Sequence, residues 1–197
     1  PLYQRIERVG QLEVLEEQDR FQEIQSWRAT KEDRRVSGKV LGSIVHKALQ
    51  RWLFPGDPTL DVLLEAEAWR AGLAMETTRQ DVINRANDLL ARFRKHLLWN
   101  EVDVALDRYS ELPYSYLVND KMENRVIDLL YREAGGWHIV DFKTDPINSS
   151  MQKEHLVQVY ARQVRRYKAI LESKLDISVQ GQLCFLDDQG KVDLVDV

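Results

Sequence analysis

The stretch RVIDLLYR (125–132), EAGG (133–136) and WHIVDFK (137–143) decides the architecture. It reads as two β-strands joined by a tight turn, because two short runs rich in Val, Ile, Leu and aromatics flank a Gly-Gly signal. Side chains alternate along a strand, so residues two apart share a face. Ile139, Asp141 and Lys143 therefore face one way and His138, Val140 and Phe142 the other. On the first strand Asp128 is expected on the face of Val126 and Leu130. A two- or four-residue turn centred between Ala134 and Gly135 sets Asp128 directly opposite Asp141. Opposed Cβ atoms lie about 4.5–5.5 Å apart, and like charges there repel. Either one carboxylate is protonated or a cation sits between them. A divalent ion with oxygen ligands is the simplest answer, and Mg²⁺ the first candidate. A three-residue turn would make the acids diagonal and weaken the argument. The competing reading is a solvated Asp-x-Lys ion pair worth about 0–1 kcal/mol. It is disfavoured because both acids stand within apolar runs, where an uncompensated charge is costly.

Outward from this hairpin the period changes. Upstream, Val40, Leu41, Ile44, Val45, Ala48, Leu49, Trp52 and Leu53 follow helical spacing. Phe54-Pro55-Gly56-Asp57-Pro58 breaks that helix. Residues 61–75 predict a second helix. Ile83, Ala86, Leu89, Leu90, Phe93 and Leu97 mark a third, and residues 2–35 are also expected to be helical. Residues 102–118 hold strand-like pieces broken at Pro113. Downstream, residues 154–175 predict a helix with Tyr160, Gln163, Val164, Tyr167 and Ile170 on one side. Residues 177–186 and 191–197 predict two strands around Asp187-Asp188-Gln189-Gly190. Helices, strands, a helix and strands again imply a mixed sheet with helices packed on it, of class α/β or α+β. The expected division is a helical part over 1–100 carrying His46 and a sheet-and-helix core over 101–197, within one structural domain.

At 197 residues, 44% hydrophobic and 30% charged, the chain is long enough for one core and is neither disordered nor collagen-like. No apolar run approaches the roughly 18 residues needed to span a bilayer, so no membrane role is expected. No signal-peptide pattern opens the chain, and Pro1 in place of Met reads as part of a longer or processed polypeptide. One cysteine, Cys184, leaves no disulfide framework and no four-cysteine iron–sulfur cluster. It fits a reducing, cytoplasmic setting. The net charge of -4 is neutral on nucleic acid, since carboxylates gathered around a metal lower the net charge and still face phosphate.

Four elements occur in order: Gly42-Ser43-Ile44-Val45-His46, Val126-Ile127-Asp128, Asp141-Phe142-Lys143-Thr144, and Tyr160-Ala161-Arg162-Gln163 running to Tyr167. Together they resemble the PD-(D/E)XK nuclease domain of the RecB and AddA type, the C-terminal part of helicase–nucleases that process DNA ends. The resemblance covers residues 38–175. It implies a restriction-endonuclease-like mixed sheet flanked by helices. It implies metal ligation by His46, Asp128, Asp141 and the backbone carbonyl of Phe142, with Lys143 activating water and stabilising phosphate charge. Gln163 and Tyr167 match a Gln-x-x-x-Tyr element that supports Lys143 or contacts DNA. Tyr160, Arg162 and Arg166 become candidate DNA contacts. Asn124 stands where the family often has Gly. Glu111 is a possible outer carboxylate, left outside the expected ligand set.

The function this implies is Mg²⁺-dependent hydrolysis of DNA phosphodiester bonds, with Mn²⁺ able to substitute, in recombinational repair of broken ends. No Gly-x-x-x-x-Gly-Lys phosphate loop occurs, so an ATP-driven motor is expected in another part of the polypeptide or in a partner subunit. Three rival readings compete with this one. An inactive nuclease-fold module for DNA or partner binding predicts a lost Asp, Lys or His, and all are present. A small-ester phosphohydrolase would need a Gly-rich cradle, and none is visible. Docking of the N-terminal helices onto a helicase is compatible with the nuclease reading.

Overall fold

The computed structural model describes residues 32–118 and 121–197. The elements run α1 (Glu32–Arg51), α2 (Leu60–Arg70), α3 (Glu76–Arg94), α4 (Leu97–Asp103), β1 (Asp107–Val118), β2 (Lys121–Glu133), β3 (Gly136–Lys143), α5 (Ser150–Leu175), β4 (Val179–Asp188) and β5 (Lys191–Asp196). Most of the helix expected over 2–35 lies outside the described residues. The five strands form one mixed sheet in the order β1-β2-β3-β4-β5. β3 and β4 are parallel and the other neighbours antiparallel. The parallel step requires a crossover, and α5 supplies it.

The sheet is covered on both faces. Helices α1 to α4 pack on one face against Leu129, Tyr131, Val140, Phe142, Cys184 and Leu186. Helix α5 packs on the other, with Tyr160, Val164, Tyr167 and Ile170 against Ile139, Leu183 and Phe185. Coverage on both sides is why β3 reads as a nearly continuous apolar run in which His138 and Asp141 are the buried polar exceptions. No helix among the described residues is long and apolar enough to cross a membrane.

Three boundaries differ from the sequence expectation. α2 ends at Arg70 rather than residue 75, because Gly72 adopts φ 81° and closes a Schellman cap. Leu73 N–H returns to Ala68 O at 3.1 Å and Gly72 N–H to Trp69 O at 2.9 Å. Leu97 opens α4 instead of ending α3, and the His96 side chain caps the new helix by accepting from Leu98 N–H at 3.2 Å. β1 runs unbroken through Pro113, which pairs with Val126. β1 is an edge strand, where a missing N–H is tolerated.

Gly181 on β4 sets the seat of α5. A Cβ there would lie 2.7 Å from Val164 Cγ1 and 3.2 Å from the Val197 carbonyl oxygen. Gly181→Ala is therefore expected to destabilise the fold by about 1–3 kcal/mol through overpacking. A thermal melt at or above that of the wild type would contradict this seating.

Candidate active site

The β2–β3 hairpin has a two-residue turn, with Glu133 paired to Gly136. The expected register holds as far as Leu129↔Val140, where the described ladder ends. Asp128 and Asp141 come next, and here the strands cease to pair. The Asp128 carboxylate takes the place of the ladder partner: its Oδ2 accepts from Phe142 N–H at 2.8 Å. On the other side of β2, Ser110↔Leu129 and Leu112↔Ile127 pair, with Asp128 and Glu111 skipped between them. Ile127 and Leu130 both bury against α5, so the two-residue alternation breaks at Asp128. This corrects the expectation that Asp128 simply shares the face of Val126 and Leu130. A strand unpaired on both sides at one residue can turn that side chain out of its regular direction.

The break lets Asp128 meet α1. Leu41, Ile44, Val45 and Ala48 bury one side of α1 in the core. His46, next to that buried stripe, reaches the sheet. Its Nδ1 lies 3.4 Å from Asp128 Oδ1 and 4.0 Å from Glu111 Oε1. Its Nε2 donates to the Phe142 carbonyl at 3.1 Å, which orients the ring. Gly42, one turn earlier, allows this approach: a Cβ there would stand 3.2 Å from Thr144 Oγ1. Glu111 has φ 53°, a left-handed conformation that costs a non-glycine residue roughly 1–3 kcal/mol and clusters at functional sites.

His46, Glu111 and Asp128 offer ligand atoms that all lie within 4.8 Å of one another. Asp141 is not in this tight set. Its carboxylate, 1% exposed, forms an ion pair with Lys143 through Oδ2 at 2.7 Å. Its Oδ1 has no hydrogen-bond partner among the described residues. Two hard carboxylates, one imidazole and a neighbouring buried carboxylate oxygen without a partner suit a divalent cation. The Phe142 carbonyl, expected as a ligand, is engaged by His46. Glu111, expected from sequence only as an outer carboxylate, stands within this cluster. No pattern in β1 marked it, and its signal is a left-handed backbone that only the folded chain reveals.

Charge is distributed accordingly. Burial works against ionised Asp128, but the His46 imidazole and the Lys143 ammonium outweigh it and hold its pKa below the usual carboxylate range. Burial pulls His46 down, and Asp128 more than offsets it, so the imidazole pKa is raised. Asp141 is dominated by burial, opposed by Lys143 and reinforced by Asp128, and is pushed up to about 6. Burial disfavours charge on Lys143, yet Asp141 and Asp128 prevail and raise its pKa. Glu111 is raised by burial and by the Asp128 charge.

On the α5 side a chain of side chains leads away from Lys143. Its Nζ donates to Gln163 Oε1 at 3.4 Å, and Gln163 Nε2 donates to the Tyr167 hydroxyl. Burial, then the Asp141 charge, raises the Tyr167 pKa, so the phenol is neutral. The Tyr160 ring lies 4.3 Å from Lys143 Nζ and its hydroxyl donates to Asp145 Oδ2 at 2.9 Å. The fold thus gathers His46, Asp128, Phe142, Asp141, Lys143, Gln163, Tyr167 and Tyr160, and adds Glu111 and Asp145. Arg162 is exposed and Arg166 half-buried on α5. His96 caps a helix, and His138 is buried, stacked on Tyr131, on the face opposite Asp141.

Residues 15–196 match the PD-(D/E)XK nuclease superfamily. The chain is 28% identical over 192 aligned residues to an ATP-dependent helicase/nuclease subunit of Heliobacterium modesticaldum, covering 83% of this chain and 13% of that protein. It therefore spans only a small part of the relative's length. Among solved structures, the crystal structure of protein VC1899 from Vibrio cholerae aligns with TM-score 0.32 and 10% identity, over 79% of this chain and 45% of that one.

Proposed function

Because the chain belongs to the PD-(D/E)XK nuclease superfamily, we propose that it hydrolyses DNA phosphodiester bonds with Mg²⁺, as the nuclease part of a helicase–nuclease. The observation that carries this reading is the convergence of His46, Glu111 and Asp128 beside the buried Asp141–Lys143 pair. The first three residues would hold the ion, with Asp141 at the margin of the set. A divalent ion supplies Lewis-acid polarisation of a phosphate oxygen and lowers the pKa of a bound water. Lys143 does the rest of the electrostatic work. Its raised pKa keeps it an ammonium at neutral pH, so it stabilises charge on the pentacovalent transition state rather than acting as general base. Gln163, tied to Tyr167, keeps the lysine from swinging away. Cleavage releases the 3′ oxygen and leaves a 5′ phosphate.

The resemblance to part of a helicase/nuclease supports DNA as substrate and a motor as partner. The motor would deliver broken ends in recombinational repair, in the cytoplasm.

The test uses labelled single- and double-stranded DNA. Cleavage is expected with Mg²⁺ or Mn²⁺, to vanish in EDTA and to return when the metal is restored. Undiminished cleavage in EDTA would overturn the proposal.

A further inference from the structure

We propose that Asp145 and Tyr160 form a clamp that positions Lys143: the Asp145 carboxylate holds the Tyr160 hydroxyl, and the ring so fixed presents its face to the Lys143 ammonium.

A lysine ends in a point charge on a flexible four-carbon stem, so its position is decided by what surrounds it. Asp141 and Gln163 hold the Lys143 head at 2.7 and 3.4 Å. The Gln163 bond is long, and Asp141 is a shared partner that also feels Asp128. The third support is the Tyr160 ring at 4.3 Å, within the roughly 6 Å over which a ring face attracts a cation. Tyr160 is 9% exposed, so the contact is largely shielded from water, where such an attraction is strongest.

The ring keeps this place because its hydroxyl is tied down. Asp145 Oδ2 accepts from it at 2.9 Å. A carboxylate drawing on the phenolic proton also enriches the ring in electrons, which strengthens its hold on a cation. Asp145 is itself on a fixed support. Two residues on, Ile147 is buried and bridges to Asp188 of β4. Ile147 N–H bonds Asp187 O at 2.8 Å and its carbonyl accepts from Gln189 N–H at 3.0 Å. Gln152 Nε2 reaches back from α5 to the Pro146 carbonyl at 2.9 Å. The loop after β3 is thereby stapled to β4 and α5, the two elements that frame the lysine. Bracing the lysine is a role for Tyr160 beyond the DNA contact expected from sequence.

The kinetic arm of the test rests on the nuclease reading; the spectroscopic arm does not. In the full chain carrying ¹³C-labelled lysine, the Lys143 ε-methylene is expected to show an upfield ring-current shift, assigned by its loss in Lys143→Arg. The shift should collapse in Tyr160→Leu and shrink in both Asp145→Ala and Tyr160→Phe, while Asp145→Asn, which keeps an acceptor, retains most of it. In cleavage, Asp145→Ala and Tyr160→Phe should each lower kcat about tenfold with KM within about twofold. The double variant should be no worse than the poorer single. An unshifted resonance in the wild type, or one indifferent to Asp145→Ala and Tyr160→Phe, overturns the clamp whatever the cleavage rates. Multiplying kinetic losses in the double variant overturn it too. If Asp145→Ala does not fold, Tyr160→Phe gives the same readout from the ring side. The expected shifts without cleavage by any form would sustain the clamp and sink the nuclease proposal.

Discussion

Lys143→Met, with Mg²⁺ present, is expected to lower DNA cleavage by about 10²–10³-fold while leaving metal binding largely intact, the loss typical of a preorganised charge aimed at a developing oxyanion. Methionine keeps much of the stem and removes the ammonium. The size of the effect follows from burial. The Lys143 side chain is 15% exposed, and its charge acts where water screens poorly. The variant also strands Asp141, which is 1% exposed and relies on Lys143 as its counter-charge. Its pKa, already pushed up to about 6 with the lysine present, should climb further and the group take up a proton. Stability should fall as well, because removing one partner of a buried pair leaves the other uncompensated. Lys143→Arg restores charge but not the compact ammonium, and is expected to recover only part of the rate. Cleavage within about threefold of wild type in Lys143→Met would remove the lysine from the mechanism.

Asp128→Asn is expected to weaken Mn²⁺ binding, measured by calorimetry, by more than the roughly 10–100-fold that losing an outer partner of a metal ligand costs. Asparagine keeps an oxygen that can accept from Phe142 N–H, so the variant isolates charge from the structural bond. Alanine would also orphan that N–H, at about 1–3 kcal/mol. The sharper comparison is between Glu111→Gln and Asp141→Asn. Glu111 belongs to the tight set with His46 and Asp128, whereas Asp141 is held by Lys143. Glu111→Gln should therefore weaken Mn²⁺ more than Asp141→Asn does. The opposite ranking would return the ligand set to His46, Asp128 and Asp141, the order expected from sequence. Equal binding by wild type and Asp128→Asn would abolish the candidate metal centre.

Much of the site was legible before folding. Asp141 and Lys143 two apart on a strand had to share a face, and Val140 and Phe142 had to take the other. The hairpin register followed from the Gly-bearing turn. Gln163 and Tyr167, four apart on a helix, had to lie along one side. These inferences hold because each rests on a local period, and local periods survive packing.

One miss had a local cause and the others did not. The α2 boundary depended on a Schellman cap at Gly72, and β1 tolerated Pro113 because it lies at the sheet edge. Asp128 left the regular alternation because its strand is unpaired on both sides at that residue. Local patterning was enough for the α/β order of elements, the register of the central hairpin and the pairing of an acid with a lysine on one sheet face. Long-range packing was needed to bring together His46 from α1, Glu111 from an edge strand and Asp128, and to set Asp145 against Tyr160. The reason is that alternation and helical spacing act between residues a few positions apart, whereas these contacts join segments brought together by burial of the two core layers.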